Sequence, residues 1–227
     1  TKESIENNKE LFDSIRRYIE SLNKSLRKLV NNKYYRFSIK ITNSQYVIYE
    51  KISNELINSI NKSKNISNVF IRYEKRNNYK HSNYCFKYCI NNIKSKYKKR
   101  ILKECYESYQ NCRYDLCIIG LFAVNDFLLS KYSNNHSSNS FERKRLIKKM
   151  LEKNKKLDDE KFGTFILYKC FVNVLDTFYK RIDFASEEPN DINRNWYMHA
   201  RYNRNTSRLD CIKVIRFMYT LISLFEN

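Results

Sequence analysis

Tyr114-Asp115-Leu116-Cys117-Ile118-Ile119-Gly120-Leu121-Phe122-Ala123-Val124-Asn125-Asp126-Phe127-Leu128-Leu129 is the most apolar stretch of this 227-residue chain. It reads as part of a helix running from Tyr114 to Tyr132. Leu116, Ile118, Ile119, Leu121, Phe122, Val124, Phe127 and Leu128 leave almost no side of such a helix polar. A helix apolar on most sides is buried on most sides, so this one is expected at the centre of the fold.

Working outward, the neighbouring segments also carry helical spacing. A basic helix is expected from Ser95 to Asn111, with Tyr97, Ile101, Cys105 and Tyr109 on one side and a short turn at Asn111-Cys112-Arg113. Beyond the Ser/Asn loop at 133–140 come a basic helix, Phe141–Asn154, and an apolar one, Phe162–Ile182. The last helix, Arg208–Phe225, opens on Ser207-x-x-Asp210, a variant of the capping box. Nearer the start, Leu11, Ile15, Tyr18, Leu22, Leu26 and Leu29 predict a helix from Ile5 to Val30. Tyr49, Ile52, Leu56 and Ile60 predict another. Phe37, Ile39 and Ile41 alternate with polar neighbours, as do Val69, Ile71 and Tyr73; each is either a short strand or a helix end.

Composition agrees with a helical chain. Gly (2) and Pro (1) are scarce, and sheet-rich folds need many tight turns. The expected class is therefore all-α. Residues 77–92 are polar and aromatic without a firm period, which places a boundary there: an N-terminal, mostly helical extension over 1–92 and a helical domain over 93–227. Lysine and arginine total 44 against 24 acidic residues, a net charge of +20. Such a balance points to a polyanion partner, RNA or DNA. Seven cysteines in a chain this large need no disulfide framework. With no secretory segment at Thr1 and no apolar run of transmembrane length, the thiols are expected reduced and the chain cytoplasmic, with no membrane partner. Cys85-x-x-x-Cys89 and Cys105…Cys112…Cys117 lack compact zinc spacing, and Gly120 and Gly163 cannot build a phosphate loop. No metal or other cofactor is expected.

Asn193-Arg194-Asn195-Trp196-Tyr197-Met198-His199 follows Pro189, with Asn190 or Asp191 as a candidate helix cap. Asn195 and His199 are four apart and share a helix face, and Arg194 reaches toward the same spot from the first turn. RNA cleavage without a metal needs such a set. A base takes the 2′-hydroxyl proton, a cation stabilises charge on the phosphoryl oxygens, and an acid protonates the leaving 5′ oxygen. Histidine can serve as base or acid, and arginine binds phosphate bidentately. One site holds one histidine. A second, from the partner in a symmetric dimer, completes the acid–base pair, although water or another group can also stand in.

The Arg194-Asn195-x-x-x-His199 signature, followed by a short loop and a terminal helix, resembles the HEPN superfamily. The helical pair from Ile101–Tyr109 to Tyr114–Ala123 looks like that family's opening α-hairpin, and the likeness spans about Ile93 to Phe225. The resemblance implies a HEPN-like helical bundle and an endoribonuclease with Arg194, Asn195 and His199 catalytic. Asp126 lies where members often place an acidic residue facing the site. It further implies a toxin, phage-defence or RNA-processing role, with a regulatory partner or antitoxin as restraint. Many relatives carry Gly after the histidine; this chain carries Ala200. Arg201, Tyr202, Arg204 and Arg208 follow within a few residues and either contact RNA or form a solvated loop. The alternative to an enzyme is a non-catalytic RNA-binding or scaffold subunit of a defence complex.

Overall fold

The computed structural model describes residues 32–47, 53–136, 140–155 and 162–226. The expected helix Ile5–Val30 lies outside these residues, as do Tyr49 and Ile52. The described residues form ten α-helices and no strand, an all-α architecture. In chain order they are α1 (Lys33–Asn43), α2 (Asn54–Lys62), α3 (Ile66–Arg76), α4 (Lys80–Asn92) and α5 (Lys96–Gln110). Then follow α6 (Tyr114–Ser133), α7 (Ser140–Lys155), α8 (Phe162–Phe178), α9 (Arg194–Met198) and α10 (Arg208–Glu226).

Helix α6 is the hub. It packs against α5, α7, α9 and α10. Cys117, Ile118, Leu121, Phe122, Val124 and Leu129 are fully buried, and each large aliphatic or aromatic side chain among them contributes about 1.5–3 kcal/mol. Leu116 stays 61% exposed, so one flank of this apolar helix faces outward. By length and composition α6 is also long and apolar enough to cross a membrane, but 56% of that span is buried inside the protein. The hairpin with α5 is close because Gly120 has no Cβ; one added there would collide with Cys105 Sγ.

Helix ends follow local chemistry. Ser95 caps α5 by accepting from the Lys98 amide. At α10 the Ser207–Asp210 capping box forms in both directions: the Asp210 carboxylate accepts from the Ser207 amide at 2.9 Å and Ser207 Oγ from the Asp210 amide at 3.2 Å. Helix α8 stops at Phe178, short of the expected Ile182, because the Lys180 carbonyl turns away to accept from Asn193 Nδ2.

The alternating stretches Tyr35–Ile41 and Val69–Tyr73 are helical. In α1 the buried pair is Phe37 and Ile41, four apart, while Ile39 points out at 44% exposure. In α3 the buried row is Ile66, Phe70 and Glu74, with Asn65 as cap. Three alternating apolar residues in so short a run fit either period, and the cap decides for helix. The stretch 77–92, expected to be a boundary, is largely helix α4, which packs on α10. Its Cys85, Phe86 and Cys89 belong to the same buried cluster as α5, α6 and α10, so the core runs across residue 93.

A second cluster gathers Phe37, Ile41, Leu56, Ile60 and Phe70 from α1 to α3 around Cys170 of α8. A buried ion pair lies between the two clusters. The Glu74 carboxylate, 0% exposed, pairs with the Arg216 guanidinium, 2% exposed, and accepts from Ser82 Oγ at 2.9 Å. The guanidinium also lies over the Phe70 ring at 5.0 Å, and Phe70 stacks on Tyr46 at 3.9 Å.

Candidate functional site

Helix α9, five residues long, is too short to hold itself. Its position comes from its ends. The cap is Asn193, not Asn190 or Asp191. Asn193 Oδ1 accepts from the amides of Asn195 (3.0 Å) and Trp196 (3.3 Å), while Nδ2 donates to the Lys180 carbonyl at 2.8 Å. Fully buried, it welds α9 to the exit of α8. Just before it, the Gln45 side chain clamps Ile192: Nε2 donates to the Ile192 carbonyl at 3.1 Å and Oε1 accepts from its amide at 2.9 Å. Trp196 and Tyr197 pack inward, Tyr197 against Phe122 of α6 at 6.0 Å.

The other end of α9 is a Schellman motif. The Ala200 amide donates to the Tyr197 carbonyl at 3.1 Å and the Arg201 amide to Trp196 at 2.9 Å. Ala200 carries the left-handed turn, with φ +49°. This is where glycine is favoured, so Ala200 bears strain that glycine would not. Ala200→Gly is expected to stabilise. The relief of about 1–2 kcal/mol, less about 0.5–1 kcal/mol of added backbone freedom, leaves a gain of about 0.5–1 kcal/mol. For a chain of this length that raises the thermal midpoint by about 1–4 °C. A midpoint that falls would sink the strain argument.

On this short scaffold three of the predicted residues, Asp126, Arg194 and Asn195, meet, while the His199 imidazole stands apart from them in its contacts. The Arg194 guanidinium donates from Nε to Asp126 Oδ2 of α6 at 3.0 Å, and its Nη2 pairs with the same oxygen. Nη1 donates to Asn195 Oδ1 at 2.9 Å. The side chains of Arg194 and Asp126 are only 20% and 15% exposed, so the pair is shielded but not sealed. Behind it lies Tyr179, fully buried; burial first, and then the Asp126 carboxylate, push its hydroxyl well above the usual tyrosine pKa. Arg143 of α7 approaches from another side, donating to the Asp126 carbonyl at 3.4 Å. His199 closes α9 at its C-cap, its amide on the Asn195 carbonyl at 3.1 Å. The imidazole is exposed and leans edge-on against Phe184, ring centres 5.2 Å apart.

The residues expected to contact RNA divide. Arg201 is exposed beside His199, its guanidinium 4.6 Å over the same Phe184 ring. Tyr202 is occupied: its hydroxyl accepts from the Asn193 amide at 3.0 Å and donates to the Asp191 carbonyl. Burial raises its pKa to about 12. Arg204 lies over Tyr202 at 4.8 Å. Arg208 is held in a phenolic cage, 4.4 Å over Tyr79 and 2.8 Å from the Tyr114 hydroxyl. Tyr114 and Asp126 are twelve residues apart on α6, so Arg208 is anchored about 18 Å along the helix from the Arg194 pair.

Elsewhere, all seven cysteines are free thiols, six of them buried. Burial pushes the Cys85 thiol up to about 12. His81 stacks on Tyr73 and His136 contacts Ser130, both apart from α9 in the chain and in their contacts. Among the described residues no three His, Cys, Asp or Glu side chains converge into a possible metal site. No protein family, curated protein or solved structure matches this chain.

Proposed function

We propose that this chain is a metal-independent endoribonuclease of the HEPN type, acting by attack of a 2′-hydroxyl on the adjacent phosphodiester. One observation carries the reading: Asp126, Arg194 and Asn195 form a hydrogen-bonded row that ends one helical turn before an exposed histidine. The guanidinium has five N–H groups. Three point at Asp126 and Asn195, which leaves one on each terminal nitrogen for a phosphoryl oxygen. Asp126 thus fixes the cation in advance, so little reorganisation is needed as charge builds on phosphorus. His199 moves the proton, either from the 2′-hydroxyl or to the leaving 5′ oxygen. In this reading a second copy of the chain faces the first and supplies the other imidazole. The net charge of +20 draws RNA in. Such an activity suits a cytoplasmic toxin, phage-defence or RNA-processing nuclease kept in check by a regulatory partner.

The test is a mixed RNA pool incubated with the purified chain and EDTA. The expected products end in 2′,3′-cyclic phosphate or the 3′-phosphate derived from it, and 2′-deoxy positions survive uncut. Products ending in 3′-hydroxyl and 5′-phosphate, or cleavage that needs a divalent ion, would sink the mechanism. Binding without any cleavage would favour a non-catalytic RNA-binding subunit.

A further inference from the structure

On helix α7 three cations lie beside carboxylates. Lys144 and Lys148 lie 3.2 and 2.9 Å from the Asp176 carboxylate of α8, and Arg145 lies 3.9 Å from Glu142. Arg143 differs. It is only 8% exposed, yet among the described residues no carboxylate lies within ion-pair distance. Among the described residues it makes one hydrogen bond, the long one to the Asp126 carbonyl, and its buried Nε–H has no acceptor. Taking a guanidinium out of water without a counter-charge is costly, and an unmet buried donor adds to that cost. A fold does not place such a group beside a second arginine for stability.

The location gives the reason. Arg143 and Arg194 both contact Asp126, one at its carbonyl and the other at its carboxylate. Two guanidinium groups therefore meet at one acidic residue whose carboxylate pairs with Arg194 and not with Arg143, which leaves one cation more than the carboxylate balances. We propose that Arg143 is a second phosphate-binding residue, which with Arg194 forms a two-arginine cradle for one phosphodiester of a single-stranded nucleic acid. This rests on the nuclease reading of the same site and extends it. Arg194 takes the reacting phosphoryl group from the α9 side. Arg143 contributes a guanidinium whose Nε–H meets no acceptor among the described residues, and so fixes which way the backbone runs. Asp126 offers each cation its own oxygen, the carboxylate to Arg194 and the carbonyl to Arg143.

The experiment measures binding of a mixed-sequence 2′-O-methyl RNA, which cannot be cleaved by 2′-hydroxyl attack, across a range of salt. Wild type is compared with Arg143→Met, Arg143→Lys and Lys149→Met, the last an exposed α7 lysine that reports general loss of charge. Arg143→Met is expected to bind about tenfold more weakly, with the slope of log K against log salt shallower by about 0.7. Its thermal midpoint is expected to hold or rise, because an unpaired buried charge has gone. Arg143→Lys keeps the salt slope but loses affinity, because the fork is gone. If Arg143→Met does not fold, the lysine variant decides alone, and wild-type affinity there overturns the proposal. A loss at Arg143→Met no larger than at Lys149→Met also overturns it. Should wild type cleave RNA while the Arg143 variants match the Lys149 control, the cradle fails and the nuclease reading stands. Should wild type bind with the expected Arg143 dependence but never cleave, the cradle stands and the nuclease reading fails.

Discussion

Replacing His199 with alanine is expected to slow RNA cleavage roughly 10²- to 10⁴-fold, the usual contribution of a positioned acid or base. The protein itself should scarcely notice. The imidazole is exposed, and its ring contact is the edge-on one with Phe184. An aromatic pair of this kind is worth about 0.5–1.5 kcal/mol at most, so the thermal midpoint should fall by no more than about 5 °C. The α9 turn survives because it is held by backbone bonds and by Asn193, none of which involve the imidazole. This separation makes His199 a cleaner probe than Arg194. Removing Arg194 strands the Asp126 carboxylate, 15% exposed, so a lost rate there mixes chemistry with unfolding. The measurement is single-turnover cleavage of a short RNA beside a thermal melt. A rate within a few-fold of wild type, at equal stability, would end the catalytic assignment of His199.

Glu74→Ala is expected to cost about 3–5 kcal/mol, because it leaves the Arg216 charge buried without its carboxylate. For a chain of this length the thermal midpoint should drop by about 10 °C or more. The replacement of both partners by methionine should be much milder, since an apolar pair of similar volume needs no counter-charge. The reasoning is in the surroundings. Glu74 is fully buried, it also accepts from Ser82, and Arg216 lies over Phe70, so neither group can reach water by a small shift. A thermal melt of the single and double variants decides it. If the double variant is the less stable, the pair contributes more than its own desolvation cost and the argument has the wrong sign.

What could be read in advance depended on whether a residue's neighbour was near in sequence. The helices α5, α6, α7 and α10 show their spacing locally, α5 and α10 their caps as well, and their ends fall close to expectation. Helix α4 was hidden because its buried face is Ser82, Cys85, Phe86 and Cys89, a helical row in which polar and sulfur side chains do the work of aliphatic ones. The motif residues share one turn of chain, so their proximity needed only a helix. Asp126 was reached through a resemblance, and the structure puts its carboxylate on Arg194 across 68 positions. Nothing local marks Gln45 as a clamp on Ile192, 147 positions away, or Asn193 as the true cap among three neighbouring candidates. Nor does a run of basic residues on α7 disclose that one of them, Arg143, turns inward.

The Gln45 clamp has a mechanical consequence. Its amide makes both hydrogen bonds to one residue, so the end of the segment after α1 and the strand of chain entering α9 are joined at a single hinge plate with two pins. Neither can be displaced while the other stays. A displacement of the first segment therefore pulls directly on Ile192, the core residue that precedes the cap of the turn bearing Arg194. One glutamine side chain thus couples the end of α1 to the approach of α9.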